Sequence, residues 1–172
     1  TFLDLLERGG DPGNRYFLGL ARMRQGHFKA AIAAFLDVDP SDKDYRAPSL
    51  AEAARCWRLQ GQTAKAEKLI AKLIGEGEVG PEAYTLAAQY YKDVGAPKRG
   101  VELLSQALKK RPDDSSLLYA RGMFYQELGE EEAALKDMRE VLRLSPDHAD
   151  ALNFVGYLYA ERQENLEDAE RM

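Results

Sequence analysis

Apolar residues recur along this chain at the spacing of amphipathic helices, and short polar turns separate the helical stretches. Residues 115–146 give the clearest example. Leu118, Gly122 and Tyr125 fall on one helix face. After a turn at Gly129, the apolar positions resume at helical spacing. The pattern predicts a hairpin of two helices whose apolar sides need further helices beside them.

The same hairpin recurs along the sequence with one period. The turn glycines are 35, 34 and 34 residues apart: Gly26, Gly61, Gly95 and Gly129. Seven residues before each turn lies a small residue, in the series Gly19, Ala54, Ala88, Gly122 and Gly156. Three residues further on comes a column that is aromatic in most copies: Arg22, Trp57, Tyr91, Tyr125 and Tyr159. Several columns with one period indicate an array of stacked repeats, with the small residues where helices approach closely and the aromatic column packed between helices.

This spacing resembles the tetratricopeptide repeat, a 34-residue helix–turn–helix unit. The matching positions in residues 115–148 are Leu118-x₂-Arg121-Gly122-x₂-Tyr125, then Ala134-x₃-Met138, then Pro146. The chain departs from the family pattern at Arg22, where an aromatic residue is expected, at Glu78 in place of proline, and at Gly100 in place of alanine. The resemblance implies an all-α fold, a right-handed superhelical solenoid of stacked antiparallel helix pairs.

The resemblance covers nearly the whole chain and predicts a single solenoid domain over residues 1–172. We expect repeats at 12–46, 47–80, 81–114 and 115–148, a partial repeat at 149–172, and residues 1–11 as the tail of a preceding repeat. The predicted helices are 2–8, 13–25, 28–38, 48–60, 63–75, 81–94, 97–110, 115–128, 131–144, 149–162 and 165–172. Apolar side chains near both ends predict that the chain is part of a longer array and that its terminal repeats self-associate.

Composition narrows the function classes. The net charge of -5 disfavours a general nucleic-acid binder, which carries a basic surplus. The longest apolar run, Ala30–Leu36, is too short for direct insertion across a membrane. The compartment stays open, because the resemblance extends to long bacterial repeat proteins, some of them periplasmic or lipid-anchored adaptors. A cytoplasmic, periplasmic or lipid-anchored protein is compatible with the sequence.

Catalytic and metal-binding chemistry finds little support. His27 and His148 fall in turns, where we expect them to be solvated. Cys56 lies inside a predicted helix, where a small buried residue is favoured over a reactive thiol. The alternating acids Asp37, Asp39, Asp42 and Asp44 leave calcium as the weaker alternative, since they lack the glycine and closing glutamate of an EF-hand loop. The sequence therefore predicts no enzyme, no cofactor and no metal.

A partner-binding surface is the functional expectation. In tetratricopeptide-repeat proteins the first helix of each pair lines the concave face, and interfaces are enriched in aromatic residues, methionine and arginine. The candidate residues are Tyr16, Leu20, Met23, Arg24, Arg55, Arg58, Gln89, Lys92, Tyr119, Met123, Gln126, Asn153 and Tyr157. The leading hypothesis is a non-catalytic scaffold or adaptor that binds a peptide or protein there. The alternative is a structural spacer in a larger protein whose activity lies elsewhere.

Overall fold

The computed structural model describes residues 12–75 and 80–161, and every regular element in these two ranges is an α-helix. The helices are α1 (Pro12–Arg24), α2 (Phe28–Leu36), α3 (Arg46–Leu59), α4 (Thr63–Gly75), α5 (Pro81–Asp93), α6 (Pro97–Lys110), α7 (Ser115–Glu127), α8 (Glu131–Leu144) and α9 (Ala149–Glu161). The all-α prediction is confirmed. The helices predicted at 2–8 and 165–172 lie outside the described residues.

Three of the predicted helix pairs pack together. α1 packs against α2, α3 against α4, and α7 against α8. Each of α2, α6 and α8 also packs against the helix that follows it, and α1 contacts α3. The chain divides into two compact units, Thr1–Tyr90 and Tyr91–Met172, so the division falls within α5. The single solenoid domain over 1–172 stays a prediction.

Each turn within a pair is closed by a glycine in the left-handed backbone region. Gly26, Gly61, Gly95 and Gly129 have φ between 72 and 77°. At the last of these turns, the Gly129 N–H donates to the Gln126 carbonyl at 3.0 Å and the Glu130 N–H donates to the Tyr125 carbonyl at 2.9 Å. This pair of bonds is the Schellman arrangement, which satisfies the last carbonyls of a helix.

The small-residue column marks close helix approaches, as predicted. A Cβ built on Gly19 would lie 2.4 Å from the Phe35 ring, so only glycine fits beneath that ring. The same construction on Gly122 reaches Met138 Cε at 2.9 Å. Glycine at these points lets α1 and α7 lie close to their paired second helices.

The connection between the first two repeats differs from its prediction. Helix α3 begins at Arg46, two residues before its predicted start at residue 48. Asp42 explains the earlier start, because its Oδ1 accepts hydrogen bonds from the Tyr45 N–H at 2.8 Å and the Asp44 N–H at 3.0 Å. A side chain that accepts from backbone N–H groups organises a turn ahead of the helix.

Apolar cores form in both units. In the first unit, Ala31, Ile32, Phe35, Ala53 and Cys56 make a buried cluster between α2 and α3. In the second, the fully buried side chains include Leu104, Leu117, Met138, Val141 and Val155. These residues come from the periodic apolar positions, so the pattern that predicted the helices also predicted much of the core.

Candidate functional site

In the first unit, the predicted binding face of α1 is partly used for packing. Tyr16, Leu20 and Met23 are half-buried and pack against the cluster around Phe35. Arg24, at the end of α1, is exposed. The apolar residues of this face therefore support the core from one side and meet solvent from the other.

Tyr16 belongs to a group of aromatic rings that the sequence pattern did not reveal. Its ring centroid lies 5.5 Å from those of Phe17 and Tyr45, and the latter two are 5.7 Å apart. Tyr45 lies in the connection before α3, so it reaches Tyr16 only because the chain folds back, and sequence spacing does not indicate the contact. Burial raises the pKa of the Tyr16 hydroxyl, and the nearby carboxylates Glu52 and Glu82 raise it further. Tyr16 is therefore a neutral hydroxyl in an acidic setting.

Helix α3 presents two arginines and an exposed leucine. Arg55 is exposed, and its guanidinium reaches Glu52 only at 4.0 Å. Arg58 is half-buried, and its Nε is buried without a hydrogen-bond partner among the described residues. Leu59 follows with 49% of its surface exposed. Gln89, on α5 in the same unit, is exposed.

In the second unit, Lys92 forms an intramolecular ion pair. Its Nζ lies 2.8 Å from Glu127 Oε1. The same ammonium lies 5.8 Å from the centre of the Phe124 ring. Gln126 is exposed and Met123 half-buried on the same helix, α7. The ion pair balances the charge of this part of the predicted face.

Tyr119 lies beside His148, with ring centroids 4.9 Å apart. His148 differs from its prediction as a solvated turn residue, because it is half-buried and its Nδ1 accepts a hydrogen bond from the Ala151 N–H at 3.3 Å. It therefore caps α9. The helix begins at Ala149, so His148 is the residue in the capping position. Burial, followed by the charge of Asp150, raises the pKa of the Tyr119 hydroxyl.

Helix α9 supplies a strongly exposed aromatic residue of the predicted face. Tyr157 has 68% of its surface exposed, and Asn153, one turn earlier on the same helix, is also exposed. An exposed aromatic side chain of this size is typical of an interface anchor.

The aromatic column packs against cations in both units. Lys65 Nζ lies 4.3 Å from the centre of the Trp57 ring. The Arg99 guanidinium lies at the same distance over Tyr91. Arg139 is 5.4 Å from the Tyr159 ring centre, and its Nη2 donates to the hydroxyl at 2.6 Å. These rings are held in the fold by cation–π contacts. The packing role predicted for the column fits this arrangement better than a base-stacking platform, which needs exposed rings.

A buried ion pair joins α7 to α8. Arg121 Nε and Nη2 donate to the two Asp137 oxygens at 2.7 Å each, and Nη1 donates to Ser105 Oγ at 3.1 Å. Only 4% of the Asp137 side chain is exposed. These bonds raise the pKa of Arg121 above its ordinary value.

The repeat register contained a signal for this pair. Arg121 stands in the column of Leu18, Ala53 and Ala87, and Asp137 in the column of Ala34, Leu69 and Leu103. Both columns are apolar in the other repeats. Opposite charges that replace them together in one repeat indicate an ion pair between the two residues. Within its own repeat, Arg121 stands out only as part of the repeat signature.

Cys56 and the acidic loop around Asp39, two candidate chemical sites of the sequence, have these surroundings in the structure. Burial raises the pKa of the Cys56 thiol to about 11, which keeps it protonated near neutral pH. Asp39 Oδ1 accepts from both the N–H and the hydroxyl of Ser41. No group of three or more histidine, cysteine, aspartate or glutamate side chains within 12–75 and 80–161 is placed to hold a metal ion. None of the helices in those ranges is long and apolar enough to span a membrane.

An open groove of about 450 Å³ lies at the end of the first unit. Its apolar floor includes Leu50 and Leu73, and its rim carries Lys43, Arg46 and Glu82. Arg46 is held by a hydrogen bond from Nη1 to the Val38 carbonyl at 3.1 Å. Among the described residues that line this groove there is no histidine or cysteine that could pair with a nucleophile.

Comparison with known proteins finds a family match for one of these repeats. Residues 115–148 match the family model described as tetratricopeptide repeat. No curated protein matches the chain. Among solved structures, the crystal structure of MamA is similar over 90% of this chain and 89% of its own, with a TM-score of 0.59 and 18% identity.

Two further structures are similar across nearly the whole chain. YrrB, described as a tetratricopeptide-repeat protein with an unusual peptide-binding site, matches over 98% of this chain and 87% of its own, with a TM-score of 0.52 and 20% identity. A monomeric mutant of IFIT1, solved with Gppp-AAAA, matches over 99% of this chain and 43% of its own, with a TM-score of 0.60 and 18% identity. At these identities the likeness concerns the fold.

Proposed function

We propose that this chain, a tetratricopeptide-repeat protein, is a non-catalytic adaptor that binds an extended segment of a partner protein on the exposed faces of its first helices. The observation that carries the proposal is the exposure of large apolar side chains on those faces. Leu59 is 49% exposed in the first unit and Tyr157 is 68% exposed in the second. Burial of a large apolar side chain under a partner is favourable, because it removes apolar surface from water.

The surroundings of these two residues suit a protein segment. Leu59 follows two arginines on α3, and Tyr157 shares α9 with the exposed amide of Asn153. Anchors next to polar groups give both affinity and register for a bound peptide. The peptide-binding site reported for YrrB adds a precedent within the same fold.

Selection of random 16-residue peptides displayed on phage against the immobilised protein tests the proposal. Recovered peptides are then titrated by fluorescence anisotropy against the wild type, Leu59→Ser and Tyr157→Ser. We expect each variant to lose about tenfold in affinity for one class of peptide, because a buried large apolar side chain contributes about 1.5–3 kcal/mol.

Leu36→Ser is the matched control. Leu36 is 42% exposed but lies on the second helix α2, so its loss should leave binding within about twofold of the wild type. Equal losses from Leu36→Ser and Leu59→Ser, or selected peptides that ignore both first-helix variants, would contradict the proposal and favour a structural spacer.

A further inference from the structure

Three arginines of the predicted first-helix face lie in the first unit, and we call them the arginine face: Arg24, Arg55 and Arg58. Arg24 lies in the last turn of α1 and Arg58 in the last turn of α3, two helices that pack against each other. Arg55 precedes Arg58 by three residues, so the two lie on the same side of α3. Three like charges are thereby gathered on neighbouring helices.

The arginine face lacks the acidic partners that other cations in this chain have. Among the described residues, no carboxylate forms an ion pair with Arg24 or Arg58, and Arg55 meets Glu52 only at 4.0 Å. Elsewhere, Lys92 lies 2.8 Å from Glu127 and Arg143 lies 2.7 Å from Glu140. Since a nearby carboxylate stabilises a guanidinium, the arginine face has unused capacity to bind an anion.

The environment of Arg58 also favours an anion-binding surface. Its Nε is removed from solvent and has no acceptor within the described parts of the chain. A donor in that position has lost its water without gaining a hydrogen bond, which costs free energy. A carboxylate that approaches the guanidinium from outside would recover favourable interaction for the group.

Apolar side chains lie on the same two helices as the arginines. Leu59 is half exposed, and Leu20 and Met23 are half-buried on α1. A guanidinium fork matches a carboxylate with two parallel hydrogen bonds, and an apolar neighbour adds burial of the partner's aliphatic or aromatic side chain. Together they favour a partner that alternates acidic and bulky apolar residues.

A nucleic acid fits this surface less well. The chain carries a net charge of -5, and the carboxylates Glu52 and Glu82 lie close enough to raise the pKa of Tyr16 on the same unit. A phosphate backbone would meet these acids along with the arginines. IFIT1, which has a similar fold, was solved with Gppp-AAAA, so a single-stranded RNA is a necessary arm of the test.

We propose that the arginine face binds an acidic segment of a partner protein, with a bulky apolar residue of that segment seated beside Leu59. This inference rests on the proposed peptide-binding function and adds the chemical class of the peptide for the first unit. The probes are three pools of fluorescein-labelled 12-residue peptides in which leucine and phenylalanine alternate with glutamate, with glutamine, or with lysine.

We expect the glutamate pool to bind wild-type protein at least about tenfold more tightly than the glutamine pool, since one charged hydrogen-bonded contact is worth about that factor. Arg55→Glu/Arg58→Glu should abolish this preference and bind the lysine pool instead. Lys68→Glu/Lys72→Glu, which makes the same change in net charge on the second helix α4, should keep the wild-type preference within about twofold.

The outcomes separate the two proposals. If the glutamine pool binds as tightly as the glutamate pool and Leu59→Ser weakens both, peptide binding stands and the acidic partner is wrong. If none of the three pools binds the wild type, both proposals fall. If a 12-nucleotide single-stranded RNA binds more tightly than every peptide pool and Arg55→Glu/Arg58→Glu abolishes that binding, the arginine face is an RNA site and the acidic-peptide inference is overturned.

Discussion

Arg121 and Asp137 form a bidentate ion pair, with two hydrogen bonds of 2.7 Å, at the place where the first repeat has a contact between Leu18 and Ala34. The fourth repeat thus has a charged contact at a position that is apolar in the first. A buried pair of this kind is costly to break but often not costly to replace as a whole. Arg121 and Asp137 therefore allow a sharp test of how the repeats are held together.

We expect Arg121→Leu to lower the free energy of unfolding by about 3 kcal/mol, because Asp137 is left in a buried site without its counter-ion. Urea denaturation followed by circular dichroism at 222 nm measures the change. The second substitution, Asp137→Ala, should recover most of the loss in the double variant, which then has the residues of the first repeat. A double variant as unstable as the single one would contradict this account.

We expect Gly19→Ala and Gly122→Ala to differ in cost although both add one methyl group. The new Cβ at residue 19 would meet the Phe35 ring at 2.4 Å, whereas at residue 122 it meets the terminal methyl of Met138 at 2.9 Å. A rigid ring cannot yield as a methionine end can, so Gly19→Ala should cost about 1–3 kcal/mol and Gly122→Ala less.

Thermal and urea denaturation of these two glycine variants give the comparison directly. Gly75→Ala serves as the control, because a Cβ there meets nothing within 4 Å and the residue lies at the end of α4. Equal destabilisation by Gly19→Ala and Gly122→Ala would show that the clash with the ring is relieved by movement of the helix.

We expect Cys56 to resist alkylation in the folded protein. Its thiol is buried and its pKa is raised to about 11, so at pH 8 only about one thiol in a thousand is ionised, and the thiolate is the reactive form. Reaction with iodoacetamide, followed by mass spectrometry, should be slow in buffer and fast in 6 M guanidinium chloride, a concentration on the order of that needed to unfold stable domains. Rapid labelling in buffer would show that α3 opens under native conditions.

We expect His148→Ala to destabilise the protein by about 1 kcal/mol, because the Ala151 N–H at the start of α9 loses its acceptor. His148→Asp should lose less, since a carboxylate can accept the same hydrogen bond. Denaturation midpoints of the two variants measure the difference. If the two substitutions cost the same, the contact with the Tyr119 ring, and not the cap, is what His148 contributes.

The helices could be predicted well from the sequence, because the apolar spacing and the turn glycines mark the same helices independently. A helix such as α8, predicted at 131–144 and observed at Glu131–Leu144, combines a clear apolar face with a glycine turn before it. The start of α3 was harder to predict. There the helix follows a turn in which the backbone N–H groups of Asp44 and Tyr45 donate to the Asp42 carboxylate, and no apolar pattern reports such bonds.

The predicted binding residues were chosen from helix faces, and a helix face does not tell which side chains already have partners. Lys92 and Arg58 looked alike in the sequence, yet Lys92 is paired with Glu127 and Arg58 has no carboxylate partner in the part of the chain that the structure describes. Glu127 is 35 residues away, in the next repeat. Contacts of this range depend on how repeats stack, and side-chain spacing within one helix does not determine them.

The turn geometry has a consequence for how the chain tolerates insertions and deletions. In each of the four hairpins, the small residue and the turn glycine are seven positions apart. Between them lies a residue of the aromatic column, such as Tyr125, whose carbonyl accepts a hydrogen bond in the turn. One inserted residue within that interval would rotate the helix by about 100° relative to its turn. The extra residue that makes the first interval 35 long falls instead in the connection between α2 and α3. Linkers between repeats, and not the hairpins themselves, are therefore where this array can change length.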